Sequence, residues 1–273
     1  MQNMNFILQC LRSYESATID RTISPKETML DQSYFEVGRS AIDAILVAAA
    51  ASTLPAVNKV LDLPCGHGRV LRHLVHLFPG ASFDACDLDR DGVEFCATTF
   101  GARAIHSVAE LTEVTFDCAY DVIWVGSLFT HTAEDVSRRW MAHLARFLTP
   151  NGIVIATLHG RWCVHVHNRS SPYVGAERWS AIYAGYLERG YGYHDYARHE
   201  NHSFISGSYG ISLAAPHATL RILEAIPGIR IFLYLERAWG DHHDVVAFGR
   251  PSYDLAWPGM KDIDQVPAAL RPR

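Results

Sequence analysis

Lysine is nearly missing from this 273-residue chain, which has only Lys26, Lys59 and Lys261 and a formal net charge of −5. Proteins that grip nucleic acid neutralise its phosphates with clustered Lys and Arg, so no nucleic-acid partner is expected. No apolar run reaches the roughly 20 residues that a membrane-spanning helix needs, and no membrane partner is expected. The first fifteen residues, MQNMNFILQCLRSYE, have neither a basic leading segment nor a small-residue cleavage site, which argues against a secretory signal. The six cysteines, Cys10, Cys65, Cys86, Cys96, Cys118 and Cys163, include no C-x-x-C pair, so a reducing cytoplasm fits best. Two close histidine pairs, His165/His167 and His199/His202, lack an accompanying H-E-x-x-H, and no metal is assigned to them.

What is present is a chain of 49% hydrophobic residues, enough for one globular domain with a subdomain. Ser33 to Ala51, SYFEVGRSAIDAILVAAAA, reads as a helix. Ser33 is placed to cap it and Glu36 stands at capping-box spacing. From residue 58 the pattern alternates. KVLDLP is a short apolar run, RVLRHLVHLF has helical spacing, ASFDACDL is a second strand and RDGVEFCATTF a second helix stopped by Gly101. YDVIWVGSLF, AEDVSRRWMAHLARFL and IVIATLHG continue the alternation. Strands apolar on both faces between helices predict a doubly wound α/β fold with a parallel sheet covered on both sides. Residues 161–204 break the rhythm with six tyrosines, two tryptophans and five histidines, a composition that suits an insertion or lid. APHATLRILEAI then reads as a helix, and IRIFLYLERA and DVVAFGR as an antiparallel hairpin across WGDHH.

The turn VLDLPCGHGRVLRHL concentrates the chemistry. A strand, G-x-G and a helix put free backbone N–H groups and a helix N-terminus at the carboxyl edge of the sheet, where open α/β folds bind ligands. Glycine there lets a ligand approach the backbone. Asp87 closes the second strand nineteen residues after Gly68, the separation at which a carboxylate accepts ribose hydroxyls. A dinucleotide loop would carry a third small residue where Leu71 stands, and no G-x-x-x-x-G-K-[ST] is present, so pyrophosphate and triphosphate ligands are disfavoured. Arg69 and Arg72 on the following helix read as a solvated face.

In this form the turn resembles the first motif of class I S-adenosylmethionine-dependent methyltransferases. The resemblance runs on through ACDLD, FDCAYDVIWVGSLFTH and FLTPNGIVIATLHG. It implies a Rossmann-like seven-stranded sheet, mostly parallel with an antiparallel last strand. It divides the chain into an N-terminal helical lead-in or lid (1–57), a cofactor-binding core (58–160), an insertion holding the acceptor pocket (161–204), the C-terminal part of the same sheet (205–250) and a tail (251–273). S-adenosylmethionine is the implied cofactor and S-adenosylhomocysteine its product. Asp62, Gly66 and Gly68 would surround the methionine end, with Pro64 where many members carry glycine. Asp87 would hold the ribose, Leu88 would pack on adenine, and the backbone around Ser107 and Val108 would meet it, because IHSVAE lacks the usual aspartate. Gly126 and Ser127 of the third quoted stretch would also line the cofactor site. Tyr34, in the segment that often covers the cofactor, would touch the methionine carboxylate or simply pack its helix.

A sulfonium methyl is already activated, so a base is needed only if the acceptor must lose a proton. His131 and His159, at the ends of the fourth and fifth strands, are the candidate catalytic bases; capping a helix and steadying a loop are their structural alternatives. Tyr193, Asp195 and Tyr209 are candidate substrate-binding residues, suited to stack on or hydrogen-bond a sugar or phenol ring. His243 joins them near the last strand, or serves a turn. The expected activity is methyl transfer to an oxygen or nitrogen of a small molecule or glycan. An NAD(P)-dependent oxidoreductase and a cofactor-binding partner protein without turnover are the alternatives, and a homodimer is left open.

Overall fold

The structure, a computed structural model, describes residues 2–52, 54–168, 174–196 and 209–250. Tyr173, the pair His199/His202 and the tail lie outside the described residues. The strands are β1 (Lys59–Asp62), β2 (Ser82–Asp87), β3 (Arg103–His106), β4 (Tyr120–Val125), β5 (Leu148–Leu158), β6 (Tyr191–Asp195), β7 (Gly210–Ala214), β8 (Arg230–Trp239) and β9 (His243–Gly249). The helices are α1 (Gln2–Glu15), α2 (Tyr34–Ser52), α3 (Leu71–Leu77), α4 (Arg90–Phe100), α5 (Glu134–Ala145), α6 (Arg161–His167), α7 (Ala176–Arg189) and α8 (Pro216–Glu224).

Seven strands form one sheet in the order β3-β2-β1-β4-β5-β9-β8. β1 to β5 pair in parallel, whereas β9 runs antiparallel to both β5 and β8. This is the seven-stranded Rossmann-like sheet with an antiparallel last strand that the sequence predicts. Strand alternation explains why both faces are apolar. Val122 and Trp124 of β4 join one core beneath α2, α3 and α4, while Ile123 and Val125 join the other beneath α5 and α8. The order reverses between β1 and β4, and there the helices after neighbouring strands leave on opposite faces and open a crevice at the strands' carboxyl ends.

The stretch after β5 is more regular than its composition suggests. α6, α7 and β6 occupy it, and β7, in the stretch assigned to the main sheet, pairs with β6 in a separate two-stranded sheet. A third core of Cys163, Trp179, Ile182, Ile211 and Leu213 joins these elements.

Two local readings change. The first turn of α2 is set by Asp31, whose Oδ1 accepts from both the N–H and the hydroxyl of Ser33 at 2.8 Å, rather than by a Ser33–Glu36 box. Arg72 is no surface residue. It is 0% exposed and donates to the carbonyls of Gly68 (3.0 Å), Asp20 (2.9 Å), Thr22 (3.0 Å) and His67 (3.3 Å). One guanidinium therefore ties the irregular lead-in before α2 to the glycine turn. Substituting Arg72→Met leaves those carbonyls without their donor and is expected to cost about 3 kcal/mol of stability, read from the urea midpoint at unchanged slope; a loss under about 1 kcal/mol would mean that water replaces the donor.

Candidate active site

β1 delivers Asp62 to the sheet edge, and the chain turns through residues 63–70 into α3. Across the crevice, the Gly66 N–H donates to Asp87 Oδ2 at 2.7 Å, and Asp87 Oδ1 accepts from the Asp89 N–H at 2.9 Å. Each carboxylate oxygen keeps a second lone pair for a ligand. The two glycines serve different ends. Gly66 has φ +48°, and a Cβ there would meet nothing within 4 Å, so its place borders open space. Gly68, at φ +76°, would drive a Cβ into the Phe100 ring; it is small so that the turn can pack on α4, not to admit a ligand.

Asp62 is 1% exposed, and its Oδ2 has no hydrogen-bond partner among the described residues. Burial first, and the nearby Asp87 second, push its carboxyl well above the usual range. Burial likewise raises Asp87. A crevice with two such carboxylates favours a ligand that brings positive charge and hydrogen-bond donors. Arg69 stands behind them, its guanidinium 5.9 Å from the Tyr34 ring centroid and 5.5 Å from that of Trp239. Tyr34 is buried, with its hydroxyl donating to Glu27 at 2.8 Å and accepting from Arg72 at 3.5 Å. Pro64 is half-buried at the start of the turn. On the far wall Leu88 is half-buried, Ser107 N–H donates to the Asp87 carbonyl at 2.8 Å, and Val108 is exposed.

The neighbouring strand end is tightly held. A Cβ on Gly126 would meet the Trp124 indole nitrogen at 2.7 Å. Ser127 adopts φ +60°, a left-handed conformation costly for a non-glycine residue, and its N–H donates to Thr157 Oγ1 at 2.8 Å. Strand β7 then stitches the ends of β4 and β5 together. Its Gly210, Ser212 and Ala214 N–H groups donate to His131, Thr130 and His159 carbonyls. In return, His131 Nδ1 meets the Gly210 carbonyl at 2.7 Å and His159 Nδ1 meets that of Ser212 at 3.2 Å. A carbonyl only accepts, so both Nδ1 atoms carry hydrogen and both basic lone pairs reside on Nε2.

His131 stacks on Tyr209 at 4.8 Å and 24°, and its Nδ1–H, shared with the Gly210 carbonyl, also lies 3.2 Å from the Tyr196 hydroxyl oxygen. His159 is 6.1 Å from the His131 ring, 4.9 Å from His243, 5.7 Å from His242 and 6.1 Å from His167. Burial, and then the neighbouring imidazoles, hold His159 and His243 well below the ordinary histidine range, and His167 is lowered to about 4. These rings are neutral at pH 7. Of the substrate candidates, Tyr209 and His243 therefore meet His131 and His159. Tyr193 and Asp195 do not: the Tyr193 hydroxyl bonds the Asp195 carboxylate, and Tyr193 lines a separate cleft of about 470 Å³ with Arg138, Arg189 and Arg221. His242 and Cys163 were invisible as site residues because only the folding of α6 and the β8–β9 turn brings them to His159.

Residues 61–154 match the family profile described as a methyltransferase domain. The match is consistent with a class I S-adenosylmethionine-dependent methyltransferase. In fold, the chain is similar to the PH0226 protein of Pyrococcus horikoshii OT3, at 14% identity over 84% of this chain and 97% of that one, with a TM-score of 0.53. It also resembles an S-adenosylmethionine-dependent methyltransferase of Clostridium acetobutylicum ATCC 824, at 12% identity over 82% and 93% of the chains with a TM-score of 0.51, and Streptomyces venezuelae DesVI, at 17% over 79% and 95% with a TM-score of 0.50. No curated protein sequence matches it. Among the described residues, no helix is long and apolar enough to cross a membrane.

Proposed function

We propose that this methyltransferase moves the methyl group of S-adenosylmethionine to an oxygen or nitrogen of a small molecule or glycan, with His131 as the base. The observation that carries the cofactor half is the buried Asp62 Oδ2 without a partner, facing the same crevice as the open place beside Gly66 and the Asp87 carboxylate. These groups fit the cofactor: Asp87 accepts from the ribose hydroxyls, Leu88 and the Ser107–Val108 backbone border the adenine, and Asp62 answers the ammonium of the methionine end. Arg69 is the cation available to its carboxylate. Bound, the cofactor supplies an activated methyl on a positively charged sulfur.

The acceptor half rests on the order at the strand ends. Ser127 and His131 follow β4, the Gly210 carbonyl sets the His131 tautomer, and Tyr209 covers its ring. Nε2 of His131 takes the proton that an acceptor hydroxyl loses as its bond to the methyl forms. Tyr209 and His243 supply an aromatic wall for the acceptor, which suits a sugar or phenolic ring. His159 is buried, and burial lowers its affinity for a proton, so His131 is the base in this reading. All six cysteines are free, which supports the cytoplasm as its compartment.

Calorimetric titration separates this reading from nicotinamide chemistry. S-adenosylhomocysteine is expected to bind at micromolar strength and NAD not to bind measurably; NAD binding with no S-adenosylhomocysteine heat would overturn it.

A further inference from the structure

The base assignment leaves a cluster of two histidines and a cysteine beside His131 unexplained. His159 ends β5, Cys163 lies on the first turn of α6, and His242 lies in the turn between β8 and β9. Their ligand-capable atoms all fall within 4.8 Å of one another. Cys163 Sγ is 3.4 Å from His242 Nε2 and 3.5 Å from the His242 carbonyl. Cys163 is 0% exposed and His159 4% exposed, while His242 is partly open to solvent. Around a tetrahedral zinc ion with bonds of about 2.0–2.3 Å, nitrogen and sulfur ligands stand about 3.3–3.6 Å apart. The Cys163–His242 pair already has that spacing, and His159 reaches it with a closure of about 1 Å.

We propose that His159, Cys163 and His242 form a binding site for one divalent transition-metal ion, with zinc favoured by the donor set. Two imidazoles and a thiolate select zinc over magnesium or calcium, which prefer oxygen ligands. The second shell is built as well. The Ser212 carbonyl takes the Nδ1 hydrogen of His159, which fixes the ring and leaves Nε2 as its ligand nitrogen. Gly160 keeps the turn between His159 and Cys163 tight, because a Cβ there would collide with the Asp244 carboxylate. Asp244 is itself held by the Tyr234 hydroxyl at 2.7 Å and the Arg237 N–H at 3.0 Å. His243 adds a buried Nδ1 with no hydrogen-bond partner among the described residues. The His159–Cys163 step of four residues across a strand end is none of the familiar zinc spacings, and His242 is contributed from 79 residues away from Cys163.

Coordination replaces the thiol proton, which leaves to solvent, with a sulfur–metal bond. Three protein ligands leave a tetrahedral ion one open position, the arrangement that accepts a water or a substrate atom. The site stands on side-chain geometry alone and does not depend on the methyl-transfer reading.

The test uses the full chain, stripped with a chelator and titrated with Co²⁺, then with Zn²⁺ against a chromogenic chelator. The expected result is one ion per chain, a thiolate-to-cobalt charge-transfer band, and displacement of cobalt by zinc. Cys163→Ser should abolish the band, and both it and His242→Ala should weaken zinc binding by about tenfold or more. Circular dichroism and S-adenosylhomocysteine affinity report whether each variant is folded. Should Cys163→Ser not fold, protection of Cys163 from alkylation by zinc in the wild-type protein decides the matter. Absence of stoichiometric binding to folded wild-type protein, a charge-transfer band that survives in Cys163→Ser, or alkylation of Cys163 undiminished by zinc would overturn the proposal.

Discussion

Substituting Asp87→Ala is expected to weaken S-adenosylhomocysteine binding by about a hundredfold or more while leaving the protein folded. Two effects combine. The ribose loses a charged acceptor, and the glycine turn loses the bond that now runs from Gly66 N–H to Asp87 Oδ2. Hydrogen bonds to a charged group contribute about 1.5–3 kcal/mol each, and about 2.7 kcal/mol is a hundredfold in affinity. Stability should change little, because the same substitution removes a carboxylate whose burial is unfavourable. Asp87→Asn, which keeps one acceptor oxygen, should fall between. Calorimetry measures the affinity and thermal unfolding the stability; an Asp87→Ala protein that binds within about threefold of the wild type would remove the cofactor assignment.

Loss of the His131 imidazole should act on turnover instead. His131→Ala is expected to lower kcat by about 10²–10⁴, the usual contribution of a general base, with S-adenosylhomocysteine affinity unchanged. The measurement is release of S-adenosylhomocysteine from labelled cofactor, using whichever member of a sugar and phenol panel supports wild-type turnover. A structural role alone would lower stability and cofactor affinity together. A kcat within about threefold of wild type would exclude His131 as the base.

Several features could be read from the chain because they are local. The short strand runs apolar on both faces, the glycine after α4 and the turn-rich WGDHH between two strand runs depend on residues near one another, and the parallel strands of the sheet, Gly101 at φ +70° and the β8–β9 hairpin follow them. The proximity of Asp87 to the glycine turn was legible for the same reason. A strand, helix and strand of ordinary length place the two on adjacent parallel strand ends, and register pairs Asp62 with Ala85, two residues before Asp87. What escaped were residues whose partners lie far along the chain. Arg72 has helical spacing like any surface arginine, and only the lead-in that wraps over α3 buries it. Gly68 matches a ligand-binding glycine by pattern, yet Phe100 explains it. Tyr193 and Asp195 share the tyrosine-rich composition of their segment, but in the fold Tyr193 lines another cleft and its hydroxyl bonds Asp195.

By itself the order of residues determined a doubly wound sheet, a glycine turn at its carboxyl edge and two histidines at strand ends, since backbone geometry repeats with fixed periods and strands of a parallel sheet deliver their carboxyl ends to one edge. Only the tertiary structure decided which side chains share that edge. The β7 carbonyls orient His131 and His159, and the β8–β9 turn carries His242 to Cys163, because long-range pairing is set by how the packed layers meet and leaves no period in the chain to read.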